Sequence, residues 1–208
     1  MWARPIVGAA EKVAGAGTGL TDFANDVYGR EPTRMRITTP RLILRPFADA
    51  DALDFASMNA DPEVMNDQGG PVSRAESDRR LERYKQAFEL HGFTRWALEC
   101  GSTASFLGCA GLMSAGSEHP LGVHVEIGWR LVRKAWGRGI ATEAAQAALA
   151  DGFSRLRLDE ILAYTSSENL RSQAVMGRLK LRRLEQRDFV RKLAGVDRHI
   201  LVWAAQRK

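Results

Sequence analysis

From Arg41 the chain alternates: Leu42 and Leu44 face one way, Ile43 the other, and Arg45-Pro46 ends a short strand. Asp49–Met58 then takes a helical period, acidic at its start, with Ala52, Leu53, Phe55, Ala56 and Met58 on the apolar side. Asp61-Pro62 and Gly69-Gly70-Pro71 break that period, so the stretch between them is loop or one short turn. Ser73-Arg74-Ala75-Glu76 has the form of a capping box and predicts a long charged helix to about Leu90. Three β-like segments follow, Phe93–Glu99, Ser105–Ser114 and His124–Leu131, divided by turn chemistry at Gly101-Ser102 and Gly116–Gly122. In the third, Val123, Val125, Ile127 and Trp129 share one face, while His124, Glu126, Gly128 and Arg130 share the other.

A helix is predicted from Thr142 to Leu156, with Ala145, Ala148, Leu149 and Phe153 as its core stripe. Then come a strand at Glu160–Thr165, a helix at Leu170–Leu179, and a terminal strand pair near Glu185–Val190 and His199–Ala205. This order predicts an α/β (α+β) fold with a mixed, mostly antiparallel central sheet flanked by helices. Residues 1–38 stand apart as a flexible or weakly helical N-terminal extension, and 39–208 as a single domain. Met1–Gly19 is rich in Ala and Gly, and Gly15-Ala16-Gly17-Thr18-Gly19 propagates a helix poorly. Glu11, Asp22, Asp26 and Glu31 argue against a transit peptide, and Met35 is a candidate native start.

The chain's 208 residues, 45% hydrophobic and 26% charged, suit one well-packed soluble domain. No apolar run approaches the ~20 residues that span a bilayer, so no membrane partner is expected. Cys100 and Cys109 both fall in the predicted hairpin without metal-ligand spacing; no metal is expected and a reducing, cytoplasmic setting is the simplest, with a cross-strand disulfide left open. The net charge of +5 raises a nucleic-acid reading, sharpened by the basic run Arg171–Lys192. No RNA-binding or helix-turn-helix signature accompanies that charge, and a solvated helix face beside a basic ligand rim accounts for it equally well.

Candidate chemistry concentrates in Glu126–Ala144, EIGWRLVRKAWGRGIATEA, which runs from an apolar strand through a small-residue loop into a helix. Small residues let backbone N–H groups approach a ligand, and a helix start carries unpaired donors and partial positive charge, so phosphate or pyrophosphate is the natural guest. The P-loop is excluded because no Lys-Ser/Thr follows the second glycine, and the dinucleotide fingerprint because there is no third glycine.

The segment resembles the coenzyme-A loop of the GNAT N-acetyltransferase superfamily, Q/R-x-x-G-x-G/A, with Gly139 and Ala141 in the two small positions. Trp136 departs from the Gln or Arg of that pattern, and the WGRG-x-A-T-E-A form is similar to the RimJ/RimL-type branch that acetylates ribosomal-protein N-termini. TPRLILRPF (Thr39–Phe47), FTRWALE (Phe93–Glu99), FLGCAGL (Phe106–Leu112) and SSENLRSQAVMGRLKL (Ser166–Leu181) extend the resemblance.

The resemblance implies an acetyl-CoA-dependent N-acetyltransferase that moves acetyl directly to a primary amine, on a protein N-terminus or a small molecule. Two parallel strands would splay apart, here Glu126–Arg133 and Ile161–Ser166, so that pantetheine amides satisfy the opened ladder. Leu131, Val132 and Arg133 would pair with that arm, Arg138, Gly139, Ile140, Ala141 and Thr142 would hold the pyrophosphate, and Asn169 and Ser172 would meet the pantetheine region. Glu126 is the candidate base, acting through water, with His124 as a lesser one. Ser172 is the candidate donor to the departing sulfur, because no tyrosine follows Tyr164. Lys180 stands where the family carries glycine, so it would have to adopt that turn. The competing reading is a non-catalytic acyl-CoA-binding or ribosome- or nucleic-acid-associated module, and homodimerisation through the terminal strands or the N-terminal arm is left open.

Overall fold

The computed structural model describes residues Met35–Arg207. The expected N-terminal extension therefore lies outside the described residues up to Arg34, while Ile37 and Thr38 already belong to the sheet. They form β1 (Ile37–Thr38), paired with β2 (Leu42–Arg45). Next come α1 (Ala52–Ala60), the short α2 (Pro62–Met65) and α3 (Arg74–His91). The hairpin β3 (Arg95–Cys100) and β4 (Phe106–Ala115) leads into β5 (His124–Leu131). Then follow α4 (Ile140–Ser154), β6 (Glu160–Ser166) and α5 (Leu170–Arg178). The chain closes with β7 (Arg182–Arg183), β8 (Phe189–Leu193) and β9 (Val196–Gln206).

One sheet runs in the order β1-β2-β3-β4-β5-β6-β9-β7, with β8 also on β9, and β5–β6 is its parallel neighbour pair. The predicted α/β architecture, mostly antiparallel, is what the chain adopts. Helices lie on both faces because the strands alternate. Trp96 and Leu98 of β3 pack with Ile140 and Ala144 of α4, while Ala97 between them packs with Phe55 of α1 and Tyr84 of α3. Trp96 and Phe55 are almost wholly buried, each contributing on the order of 2–3 kcal/mol by burial. Among the described residues no helix is long and apolar enough to cross a membrane.

Local signals set the element ends. The Ser73 hydroxyl accepts from Glu76 N at 3.2 Å to start α3, and Gly92, at φ +69°, stops it by donating to Phe88 O at 2.8 Å. Leu53, placed on the apolar side of α1 by its period, is 69% exposed; Phe55 and Met58 carry the burial. Cys100 and Cys109 are both free thiols. Cys109 lies opposite Ala97 in the ladder, three residues from Cys100, so the cross-strand disulfide does not form.

The turn after α5 settles the question raised by Lys180. Leu181 N donates to Met176 O at 3.1 Å and Lys180 N to Gly177 O at 3.0 Å, and Lys180 sits at φ +56°. This is the Schellman arrangement, with lysine in the left-handed position that favours glycine. Lys180→Gly is therefore expected to stabilise the fold by about 1 kcal/mol, read as a higher urea midpoint with unchanged slope. A lower midpoint would show that lysine's aliphatic stem contributes more than the turn costs.

Candidate active site

β5 and β6 share one ladder position, Glu126 opposite Leu162, near their N-terminal ends. Beyond it β5 stays with β4 up to Leu131, and β6 stays with β9 up to Ser166. The strands part as predicted, and a cavity of about 540 Å³ occupies the opening. Trp129 and Leu131, which pack toward the α4 side, line it together with Arg130, whose guanidinium bonds Asn59 of α1. Since neighbouring residues of a strand point to opposite faces, the cavity passes through the sheet from one face to the other. Arg171, Arg178 and the start of α4 line its α4–α5 side; Glu63, Asp67 and Gln68, from α2 and the turn after it, line the other.

The loop before α4 is built to expose donors. Gly139 caps the helix at φ +75°, and the first intrahelical bond is Glu143 N to Gly139 O at 3.0 Å. The N–H groups of Ile140, Ala141 and Thr142 consequently have no acceptor inside the helix, and all three residues line the cavity. A Cβ at Gly139 would sit 3.4 Å from Arg41 Nη2 in a backbone conformation that other residues rarely adopt. Backbone donors at a helix start, with basic side chains beside them, fit the pyrophosphate and phosphates of coenzyme A.

A clasp from the start of the sheet holds this loop. Glu143 accepts from Thr39 Oγ1 at 2.6 Å, Arg41 N at 3.0 Å and Arg41 Nε at 2.6 Å, while Arg41 Nη1 donates to Arg138 O at 2.8 Å. Burial opposes the charge on Glu143, but these hydrogen bonds outweigh it and hold the carboxyl below its ordinary value. The Trp136 indole donates to Leu131 O at 3.0 Å, which ties the loop to the end of β5, and the Arg171 guanidinium lies 4.0 Å from the Trp136 ring centroid. Across the cavity Asn169 caps α5, its Oδ1 accepting from Ser172 N at 3.0 Å, and Arg178 Nε donates to Thr142 Oγ1 at 3.1 Å.

Of the residues expected to hold the coenzyme, Leu131, Gly139, Ile140, Ala141, Thr142, Asn169 and Ser172 line the cavity. Val132, Arg133 and Arg138 do not. Val132 N bonds Leu107 O at 3.1 Å and so prolongs the β4–β5 ladder. Arg133 turns to Asp61 and Glu63, at 2.8 and 2.7 Å, and Arg138 offers its carbonyl to Arg41.

Glu126 also lies outside the lining. Its carboxylate pairs with the Arg95 guanidinium, which also donates to Gly111 O. Gly128 makes room for this crossing, since a Cβ there would lie 2.7 Å from Arg95 Nη2. Arg95 is 9% exposed, and removing its counter-charge would cost about 3–5 kcal/mol. Burial pushes the Tyr164 phenol well above its ordinary range, reinforced by the charge of Glu126 and a hydrogen bond to it. The expected base is thus engaged on two sides, and neither Arg95 nor Tyr164 was marked in the sequence: β3 and β6 reach Glu126 only through strand order. His124 Nδ1 meets Gly122 O at 2.8 Å, and His124 packs with His119, Tyr164 and Phe189 rather than on the cavity. Burial, then the neighbouring His124, lowers the His119 pKa.

Glu143→Ala removes the acceptor of three clasp bonds and should lower stability by about 1–3 kcal/mol while weakening acetyl-CoA affinity. Calorimetric titration and thermal melting on the same protein measure the two effects. Unchanged affinity would detach the clasp from the loop's binding role.

The Acetyltransferase (GNAT) domain family matches residues 41–182. The uncharacterized N-acetyltransferase YoaA of Bacillus subtilis is 25% identical over 142 residues, 67% of this chain and 78% of YoaA. The uncharacterized N-acetyltransferase p20 of Bacillus licheniformis is 29% identical over 147 residues, 70% and 81% of the two chains. An acetyltransferase structure from Agrobacterium tumefaciens superposes with TM-score 0.67 at 27% identity, covering 83% of this chain and 95% of that one. RimL, the ribosomal L7/L12 alpha-N-protein acetyltransferase, shares the fold at TM-score 0.66 and 17% identity, over 83% and 94%; it is also known in complex with coenzyme A. With its sheet opened beside a glycine-capped helix start, and with the family matching through α5, this chain belongs to the GNAT acetyltransferases.

Proposed function

We propose that this enzyme transfers acetyl from acetyl-CoA to a primary amine, on a protein N-terminus or a small molecule. The observation that carries the reading is the cavity through the sheet, with anion-binding donors on the α4–α5 side and carboxylates on the α2 side. A phosphate-bearing acyl donor suits the first set and a basic acceptor the second, so the two reactants approach from opposite faces and meet where β5 and β6 part.

The donor's contribution is an activated thioester. The start of α4, with Arg171 and Arg178, binds its phosphates, and the parted strands leave the pantetheine arm a way through. The amine must shed its extra proton to water before it attacks. Its nitrogen then forms the bond to the acetyl carbon as the carbon–sulfur bond breaks. The nitrogen sheds one further proton as the amide forms, and the leaving sulfur, which takes the pair as thiolate, takes up a proton in turn, a mild demand because thiol pKa is near 8.5. Ser172, on the cavity wall at the first turn of α5, is the proposed hydrogen-bond donor to that sulfur. Glu126 is assigned a positioning role: it orders Arg95 and Tyr164 beneath the fork.

Labelled acetyl-CoA offered to free-N-terminus peptides, to the same peptides N-terminally blocked but containing lysine, and to polyamines and aminoglycosides tests the reading. Label is expected in at least one amine pool, and which pool identifies the acceptor class. Binding of acetyl-CoA without transfer to any pool would favour a non-catalytic acyl-CoA-binding module.

Gly139→Glu should weaken acetyl-CoA binding at least about tenfold, because it strains the cap and brings negative charge to the anion site. Titration calorimetry checks this, with melting as the control for folding. Wild-type affinity in a folded variant would refute the placement of the phosphates at α4.

A further inference from the structure

Three acidic side chains stand on the α2 side of the opening, and they are not equivalent. Asp61 and Glu63 share Arg133, at 2.8 and 2.7 Å, so each already has a counter-charge. Asp67 lies in the turn after α2, is half-buried, and lines the cavity. Its hydrogen-bond partner is Ser166, whose Oγ donates to Oδ1 at 3.5 Å, and no cation among the described residues stands within ion-pair distance. Ser166 is the last residue of β6, where the strands have fully parted. Arg130, a basic side chain of the same wall, is directed to Asn59 and Gln68 at 2.9 and 3.2 Å.

A carboxylate held in a cavity wall without a cation lacks the partner that its charge favours. We infer that Asp67 receives the ammonium group of the acceptor, and that the acceptor is a cationic primary amine bound through this contact before it loses its proton to water. The inference deepens the proposed transfer to an amine and rests on it. It also accounts for the chemistry left open by Glu126, whose carboxylate is committed to Arg95. The backbone supports this placement. A Cβ at Gly69 would meet Leu193 Cγ at 3.3 Å, so the turn carrying Asp67 is braced against the tip of the β8–β9 hairpin. Asp67 is thereby a specificity-determining residue, with Ser166 beside its carboxylate and the hairpin beside its turn.

The test compares Asp67→Asn and Asp67→Glu with the wild type, using the amines of the labelled-acetyl panel. Asn keeps the shape and removes the charge. It should raise the amine KM about tenfold or more, while acetyl-CoA affinity stays within about twofold; Glu should restore a good part of the loss. An unchanged amine KM in Asp67→Asn would overturn the inference. Equal loss of acetyl-CoA affinity would do the same, because a collapsed cavity and not a lost ammonium contact would then explain it.

If the wild type acetylates nothing in the panel, the proposed transfer fails and binding decides this point separately. Spermidine and a free-N-terminus tetrapeptide are then titrated into the coenzyme-A-bound wild type and Asp67→Asn. Affinity about tenfold weaker in the variant supports the ammonium site. Equal affinity, or no binding to the wild type, rejects it.

Discussion

Two strands that run parallel and share one ladder position, Glu126 with Leu162, set the terms for the rest of this molecule. Backbone N–H and C=O groups that face across the fork beyond that point have no partner on the other strand, and each must be satisfied or face a ligand. Some of the remedy is internal: Leu131 O accepts from the Trp136 indole, and Val132 N returns to β4. What remains is a passage through the sheet. Closing that ladder would satisfy the backbone at the expense of the cavity.

The passage has to keep its shape without a bound guest, and charged side chains do much of that work. On the α4 side Glu143 gathers Thr39 and Arg41, which fixes the first turn of the helix to the start of the sheet. Beneath the fork Arg95 spans from β3 to Glu126 on β5, over the open surface that Gly128 leaves. On the α2 side Arg133 holds Asp61 and Glu63. The pairs differ in worth: the exposed Arg133 contacts contribute little against solvent screening, whereas the buried Arg95 pair is costly to break from one side. The strongest of these ties therefore lies at the fork and the weakest on the α2 side.

Much of this was legible in residue order. Period two and period three-and-a-half located the strands and helices, Ser73 marked the start of α3, and the small residues around Gly139 marked the loop before α4. The failures share one cause. Leu53 has the right helical phase but no neighbour to bury it. Glu126 has the right chemistry and the right strand face, yet its partners come from Arg95, 31 residues earlier, and from Tyr164 on a strand that adjoins it only at the fork. Asp67 carries no such signal, since nothing in a turn between breakers says which carboxylate will line a cavity.

The sequence by itself determined the element order, the mixed sheet, the glycine-capped helix start, and even the strained turn at Lys180, because each depends largely on neighbours within a few residues along the chain. Tertiary structure alone decided which carboxylates are committed and which remain open to a ligand. Pairing at 2.6 to 2.8 Å between Glu143 and Arg41, or between Arg133 and Asp61, joins segments 102 and 72 residues apart. Charge neutralisation acts through space and falls steeply with distance, so the same residue type is a strut at one position and stands without a counter-charge at another.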